Sequence, residues 1–382
     1  MSESQPRTAG LTLFSAQRRQ RIMDELQARG AVTVRAIAAQ LGVSELTIRR
    51  DVNAMAGLGL LQRVHGGATL RNEPLPPAAH TVPGEPRFTI GMVVPSLDYY
   101  WPQIINGART EADNRQARIV LRGSSYDAAD NRRQLQRLVD SRTVHGLIAA
   151  PVTTGRDGGE LLRWLNALPI PVVLAERRPP ASIPAQKLEW VATDHAFGAG
   201  LAVRHLWKEG HRRIGVLAGH DSPTTQSVVH GWEQALMALG LPVADAVRES
   251  PDAAAMADGG AYFERILQQC RAAGTTAMLV HSDSLALAFL QHCQDAGLSI
   301  PEDMAVVSYD DEVAHLAEPA ITAVRPPKSY VGKVAVEMIA ARLAEGHRRP
   351  VHRINLNPEL IIRASSVGGR RAAKGWGPRG EA

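Results

Sequence analysis

Apolar positions along the first seventy residues recur with a helical period. Ile22, Met23 and Leu26 fall on one face of a segment that starts near Arg18 and stops at Gly30, which predicts an amphipathic helix with a glycine end signal. Val34, Ile37, Ala38 and Leu41 predict a second, shorter helix. Gly42 and Val43 make a tight turn, and Ser44 stands at the N-cap of a third helix, with Leu46, Ile48, Val52 and Met55 as its inward face. The stretch "LLQRVHGGATL" then alternates β-prone residues about Gly66 and Gly67, as a hairpin does. Residues 15–70 therefore read as helix, helix, turn, helix, hairpin.

The pattern breaks at 71–87, "RNEPLPPAAHTVPGEPR", where five prolines in seventeen residues predict a semi-extended linker. Beyond it, short runs rich in Val, Ile and Ala (89–94, 117–121, 146–150, 172–175, 213–218, 277–280, 304–308) alternate with helical patterns such as 131–140 and 197–209. Strands apolar on both faces and separated by helices mean parallel sheets, an α/β fold. About 280 residues of such units need two sheets. The expected boundaries are 88–193 with 326–345 for one subdomain, and 194–325 with 350–366 for the other. The ends, 1–14 and 367–382, are polar and expected to be disordered.

Charge sharpens the division. Of the net charge of +5, all belongs to residues 1–71, which hold ten arginines and five acids; the remaining chain is balanced at 33 and 33. A basic unit joined to a neutral one suits nucleic-acid binding at one end and another task at the other. The two cysteines, Cys270 and Cys293, have neither disulfide-framework nor zinc-ligand spacing, so a reducing compartment and no metal are expected. The N-terminal stretch has no export signal and no window is long and apolar enough to span a bilayer, so the expected location is cytoplasmic.

On the third helix Ser44, Thr47 and Arg50 share a face, with Arg49 beside them. The N-terminal end of a recognition helix is where side chains reach major-groove base edges. Arg63 and His65 on the hairpin would meet phosphates or the minor groove. "VS..TIRRD" and "RVHGGA" carry a resemblance, over about fifty residues, to the winged helix-turn-helix of DeoR-type transcription regulators.

After Arg87 the chain resembles instead the periplasmic-binding-protein-like effector domain of LacI/GalR regulators. "TIGMVVPSLDYYWPQIINGA", "VATDHAFGAGLAVRHLWKEGHRRIGVLAG", "VHSDSLALAFLQHCQDAGLSIPEDMAVVSYDD" and "AITAVRPPKSYVGKVAVEMI" carry it. The resemblance implies two Rossmann-like subdomains joined by three crossovers, with a small molecule in the cleft beyond the carboxyl ends of the strands. Strand-end residues are the candidates: Tyr99, Tyr100 and Trp101, which could stack on a sugar or serve as core or dimer aromatics; Tyr126; Glu176 and Arg177, ligand groups or a mutual ion pair; His220 with Asp221; and the acids Asp283 and Asp310, matching family positions where a carboxylate accepts hydroxyl hydrogen bonds. Asp283 could also N-cap its helix, a role compatible with ligand binding, and Asp311 is expected to cap a turn.

Two positions depart from the family. Val228 stands three residues ahead of "GWEQAL" where an arginine is usual, and the proline-rich linker replaces a hinge helix. The expectation is a homodimeric, DNA-binding transcription regulator, a repressor by resemblance, whose operator affinity is set by a sugar or related polyol, with no cofactor. The rival reading, a solute receptor of a sugar uptake system, is opposed by the basic N-terminal module. Catalysis lacks a phosphate loop, a nucleophile elbow or an opposed carboxylate pair.

Overall fold

The computed structural model describes residues 18, 19, 21–23, 25, 26, 31–57, 61–64, 66–69, 86–219, 222–252 and 259–368. The expected disorder at 1–14 lies outside these residues, as do most of the linker at 71–87 and of the tail at 367–382. The chain divides into two units, 1–85 and 86–382.

In the first unit, residues 18, 19, 21–23, 25 and 26 are helical. They are followed by β1 (Ala31–Thr33), α1 (Val34–Leu41), α2 (Glu45–Gly57), β2 (Gln62–Val64) and β3 (Gly67–Thr69). The Thr33 hydroxyl accepts the Ala36 N–H to cap α1, and Gly42, at φ 66°, ends it in the left-handed conformation that glycine adopts freely. Ser44 Oγ accepts the Thr47 N–H at 3.2 Å, the N-cap bond expected at the start of α2. Ile22, Leu26, Val34, Ile37, Ile48, Val52 and Met55 form the core. Leu46 does not join them, contrary to expectation: it is 69% exposed. Beyond the expected hairpin, β1 adds a third antiparallel strand to β3. Gly67 is required there, because a Cβ would sit 2.1 Å from the Val32 carbonyl oxygen.

The second unit contains two six-stranded sheets. The first is built from β4 (Phe88–Val94), β5 (Ala117–Gly123), β6 (Gly146–Ala149), β7 (Val172–Ala175), β8 (Glu189–Thr193) and β14 (Arg353–Leu356), in the parallel order β14-β8-β7-β6-β4-β5. Helices α3 (Trp101–Asn114), α4 (Ala128–Asp140) and α5 (Gly155–Ala167) follow its strands. The second sheet takes β9 (Ile214–Ala218), β10 (Arg248–Glu249), β11 (Ala277–His281), β12 (Ala305–Tyr309), β13 (Thr322–Arg325) and β15 (Glu359–Ile361), in the order β10-β9-β11-β12-β13-β15; only β15 is antiparallel. With it go α6 (His195–Lys208), α7 (Thr225–Ala238), α8 (Gly259–Ala273) and α9 (Asp283–Asp295).

Each sheet has apolar clusters of its own, so each subdomain has its own core. The chain crosses between them at 193–195, 325–328 and 356–359. The last crossing corrects the expected boundary, since β14 completes the first sheet and only β15 lies in the second. After the second crossing, α10 (Lys328–Glu345) returns to pack on α3. A Cβ at Gly107 would lie 1.9 Å from the Ser329 carbonyl oxygen, and one at Gly332 1.9 Å from that of Ile104, so two glycines let these backbones touch.

Candidate functional site

Two surfaces bring functional side chains together. On α2, helical periodicity turns Ile48, Val52 and Met55 inward and leaves Arg49 and Arg50 exposed. Asp51 is buried and receives Arg18 Nε at 2.9 Å and Arg19 Nε at 3.1 Å, which fastens the first helical segment to α2. The sequence reading missed this acid; its signal was the one carboxylate in "TIRRD". Ser44 and Thr47 hydroxyls hydrogen-bond to each other at 2.8 Å on the exposed end of the helix. Arg49 has a loose, solvent-exposed pair with Glu45 at 3.5 Å, whereas Arg50 and Arg63 pair with no carboxylate among the described residues. Arg63 is exposed on β2; His65 lies outside the described residues. Exposed Arg49, Arg50 and Leu46 therefore mark the outer side of α2, where among the described residues Glu45 pairs loosely with Arg49 and the buried Asp51 is held by Arg18 and Arg19.

The second surface lies between the two sheets of the effector unit, where the carboxyl ends of β4, β7, β11 and β12 converge. Tyr99 crosses from the first subdomain to the second, its hydroxyl accepting the Asp283 N–H at 3.2 Å. Gln103 makes a second crossing, donating to both Glu312 oxygens at 3.2 and 3.1 Å. Burial and the charges of Asp310 and Asp283 push the Tyr99 phenol up, so it stays neutral. Tyr100 donates to Glu176 Oε1 at 3.1 Å, and Trp101 is buried in the first core with the Arg177 guanidinium 5.6 Å from its ring centre. Tyr126 is exposed beside Arg177.

Glu176 and Arg177 do not form a mutual ion pair. The Glu176 carboxylate accepts the Thr193 N–H and hydroxyl at 3.0 and 2.7 Å and faces His195 Nε2 at 3.4 Å. Burial alone would raise its pKa; the hydrogen bonds and charge from His195 and Thr193 outweigh burial and hold it below the usual carboxylate range. Arg177 donates to the Glu176 carbonyl oxygen at 2.8 Å, and burial draws its guanidinium below its ordinary value.

Asp283 occupies the first position of α9, behind an N-cap residue that is Ser282. Its fully buried carboxylate receives Ser308 Oγ at 2.7 Å and the N–H groups of Asp311, Glu312, Val313 and Ala314 at 3.3, 2.6, 2.9 and 3.2 Å. It clamps the loop after β12 and caps nothing on its own helix. Asp311 is no turn cap either, being gripped by Arg325 Nε at 2.7 Å and Arg363 Nη1 at 2.7 Å. Asp310 is buried, and burial and the charges of Asp283 and Glu312, against the pull of Lys328, raise its carboxyl well above the usual range.

Sequence reasoning missed several groups here. Lys328, at the second crossing, bonds to the Asp310 carbonyl oxygen and to Glu312 Oε1. His281 is buried 4.0 Å from Asp310, with Nδ1 making no hydrogen bond; burial chiefly, with the nearby His195, brings its pKa down to about 3. Both lie within the stretches that carry the resemblance but were not singled out there; the signal for His281 was its place at the end of β11, and that for Lys328 its place at the start of the helix after the second crossing. Val228 is fully buried in the second core with Val229 and Trp232, so the departure from the family arginine is an apolar packing position. His220 and Asp221 lie outside the described residues.

A helix-turn-helix with an exposed basic face, followed by a two-subdomain domain with a polar cleft, defines the class: a DNA-binding transcription regulator with an effector domain. Residues 18–73 match a DeoR-like helix-turn-helix domain and residues 203–366 a periplasmic binding protein-like domain. The chain joins a DeoR-type helix-turn-helix to a LacI/GalR-type effector domain. It is similar to the arabinose metabolism transcriptional repressor of Geobacillus stearothermophilus (27% identity, covering 86% of this chain and 89% of that one) and to the HTH-type transcriptional repressor CytR of Escherichia coli K12 (28%, 88% and 92%). Among solved structures, the transcriptional regulator CelR–cellobiose complex shares the fold at a TM-score of 0.62, 24% identity and coverage of 87% and 99%.

Proposed function

We propose that the protein is a homodimeric repressor whose affinity for operator DNA is set by a polyhydroxylated small molecule, a sugar or related polyol, in the cleft of its effector domain. The observation that carries this reading is the meeting of Tyr99 with Asp283 and of Gln103 with Glu312 across the cleft. A molecule seated between these pairs bears on both subdomains at once. Asp310, whose carboxyl burial shifts toward its protonated form, can donate as well as accept hydrogen bonds, as hydroxyl-rich ligands require. The unpartnered His281 Nδ1 and the Arg177 guanidinium add donors or acceptors, and Tyr100, Trp101 and Tyr126 add flat surface. Asp283 contributes by holding the 311–314 loop, its lone pairs already used. The names of the arabinose and cellobiose regulators support a sugar effector here.

In the DNA-binding unit, Thr47 and Arg50 read base edges, while Ser44, Arg49, Arg63 and His65 position the phosphates. Effector binding changes operator affinity through its unequal affinity for two cleft arrangements. Fluorescence anisotropy on DNA flanking the gene, at one salt concentration with a panel of monosaccharides, polyols and nucleosides, tests the scheme. One sugar or polyol is expected to shift the dissociation constant at least tenfold. A shift by a nucleoside alone overturns the effector class, and the absence of any specific DNA binding overturns the whole reading.

A further inference from the structure

A cavity of about 310 Å³ lies away from the cleft, against the first sheet, and is lined by Thr89, Arg118, Arg122, Arg137, Ser141 and Thr143 with an apolar floor. Strand alternation explains the lining: Ile119 and Leu121 pack into the core on one face of β5, so Arg118, Val120 and Arg122 point to the other. β5 is the edge strand of the sheet, and Arg137 reaches the same space from the last turn of α4. Three guanidiniums thus converge where no acidic residue lines the wall. None of them pairs with a carboxylate among the described residues, and the buried Arg122 Nε makes no hydrogen bond. Folding has gathered like charges and left a buried donor unused, an arrangement that a counter-ion relieves.

We propose that this cavity binds a phosphate-bearing small molecule, with Arg118, Arg122 and Arg137 as its ligands and the Ser141 and Thr143 hydroxyls as further donors. A monocarboxylate would neutralise only one of three cations, whereas a phosphate offers several oxygens to the planar forks. Arg118 and Arg122 are four residues apart on a strand, about 13 Å between Cα atoms. That span favours two phosphate groups, or a phosphate with a polar body, over a lone ion. The Coulombic influence of Arg137, after that of burial, lowers the Arg122 guanidinium, in keeping with charges that lack a partner. This site is separate from the cleft, so the protein would answer to two kinds of small molecule.

The test is calorimetric titration of the full chain with pyrophosphate at constant ionic strength, with inorganic phosphate and a hexose phosphate as parallel arms that separate a bare anion from a phosphorylated metabolite. Saturable binding that weakens at least tenfold in Arg122→Gln/Arg137→Gln is expected. Arg133→Gln, which removes an exposed arginine paired with Asp130, should bind as the wild type does. Should the double variant fail to fold, Arg118→Gln, at an exposed residue, serves in its place. Absence of saturable binding in all three arms, binding indifferent to these pocket variants, or an equal loss in Arg133→Gln overturns the proposal. So does weakened self-association of the double variant without anion binding by the wild type, which would assign the arginines to a protein contact.

Discussion

Replacing Asp283 with asparagine separates a ligand group from a structural clamp. The carboxylate is fully buried and receives five donors, two on Oδ1 from Ser308 and Asp311 and three on Oδ2 from Glu312, Val313 and Ala314. An amide keeps one oxygen and turns its NH2 against donors that have nowhere else to go. Even in the cheaper orientation two bonds to a charged acceptor are lost, each worth about 1.5–3 kcal/mol before any relaxation. Relaxation of the loop recovers part of this, so Asp283→Asn should destabilise the effector unit by about 3 kcal/mol and Asp283→Ala by more. At about 2–4 °C per kcal/mol for a unit of this size, the Tm should fall by roughly 6–12 °C. All six tryptophans lie beyond residue 86, so urea unfolding followed by their fluorescence reports this unit alone. Asp283→Asn within 0.5 kcal/mol of wild type, with effector binding abolished, would refute the clamp and restore Asp283 as a ligand residue.

Arg50→Ala should abolish the preference for operator over random DNA, a loss of about 1–3 kcal/mol in discrimination, measured by competition anisotropy at fixed salt; an unchanged preference would remove Arg50 from base readout. His281 is neutral in the folded state because its pKa falls to about 3, while the unfolded chain takes up a proton near 6.5. Its contribution is therefore fully present above about pH 6.5 and is lost as pH falls toward 3. Between pH 7 and 5 the loss is about 2 kcal/mol, and His281→Gln should flatten the stability–pH curve by that amount in calorimetry. Restoring the family's cation by Val228→Arg places a charge in a closed apolar cluster, and a destabilisation of about 3 kcal/mol or more is expected in urea. A folded, stable Val228→Arg protein would show that the position can open to the cleft.

Much of this fold could be read from the chain. The strands at 88–94, 146–149, 172–175, 214–218, 277–281 and 305–309 are buried on both faces, so their apolar runs stand out against the helices between them. Leu46 misled because it was grouped with Ile48, Val52 and Met55 as the inward face of the helix. It lies two residues ahead of Ile48 and so points to the far side of α2 from Ile48, Val52 and Met55. The division of 350–366 between sheets turned on Asn357-Pro358, a break that separates β14 from β15. At the cleft the strand-end rule located the residues but not their work. Asp283 looked like a ligand because its consumers are backbone N–H groups some thirty residues downstream, which carry no sequence signal.

The same residues bear on how the cleft can act as a switch. Each subdomain has its own buried core, and the described side-chain contacts between them include the single Tyr99–Asp283 bond and the Gln103–Glu312 pair. Polar groups concentrate where the chain crosses: Asp194 and His195 at the first crossing, with His195 facing Glu176, and Lys328 at the second, reaching the Asp310 carbonyl oxygen and Glu312. Net hydrogen bonds are worth about 0.5–1.5 kcal/mol each, more when charged. Two or three of them set an equilibrium of the size that effectors shift, about 1–3 kcal/mol. Neither core needs to be disturbed for that. In the proposed scheme a molecule that takes over the partners of Gln103 or Tyr99 would change the cleft's preferred arrangement at a cost its own hydrogen bonds can meet, and Asp283, by holding the loop that carries Glu312, would set how far that partner can move.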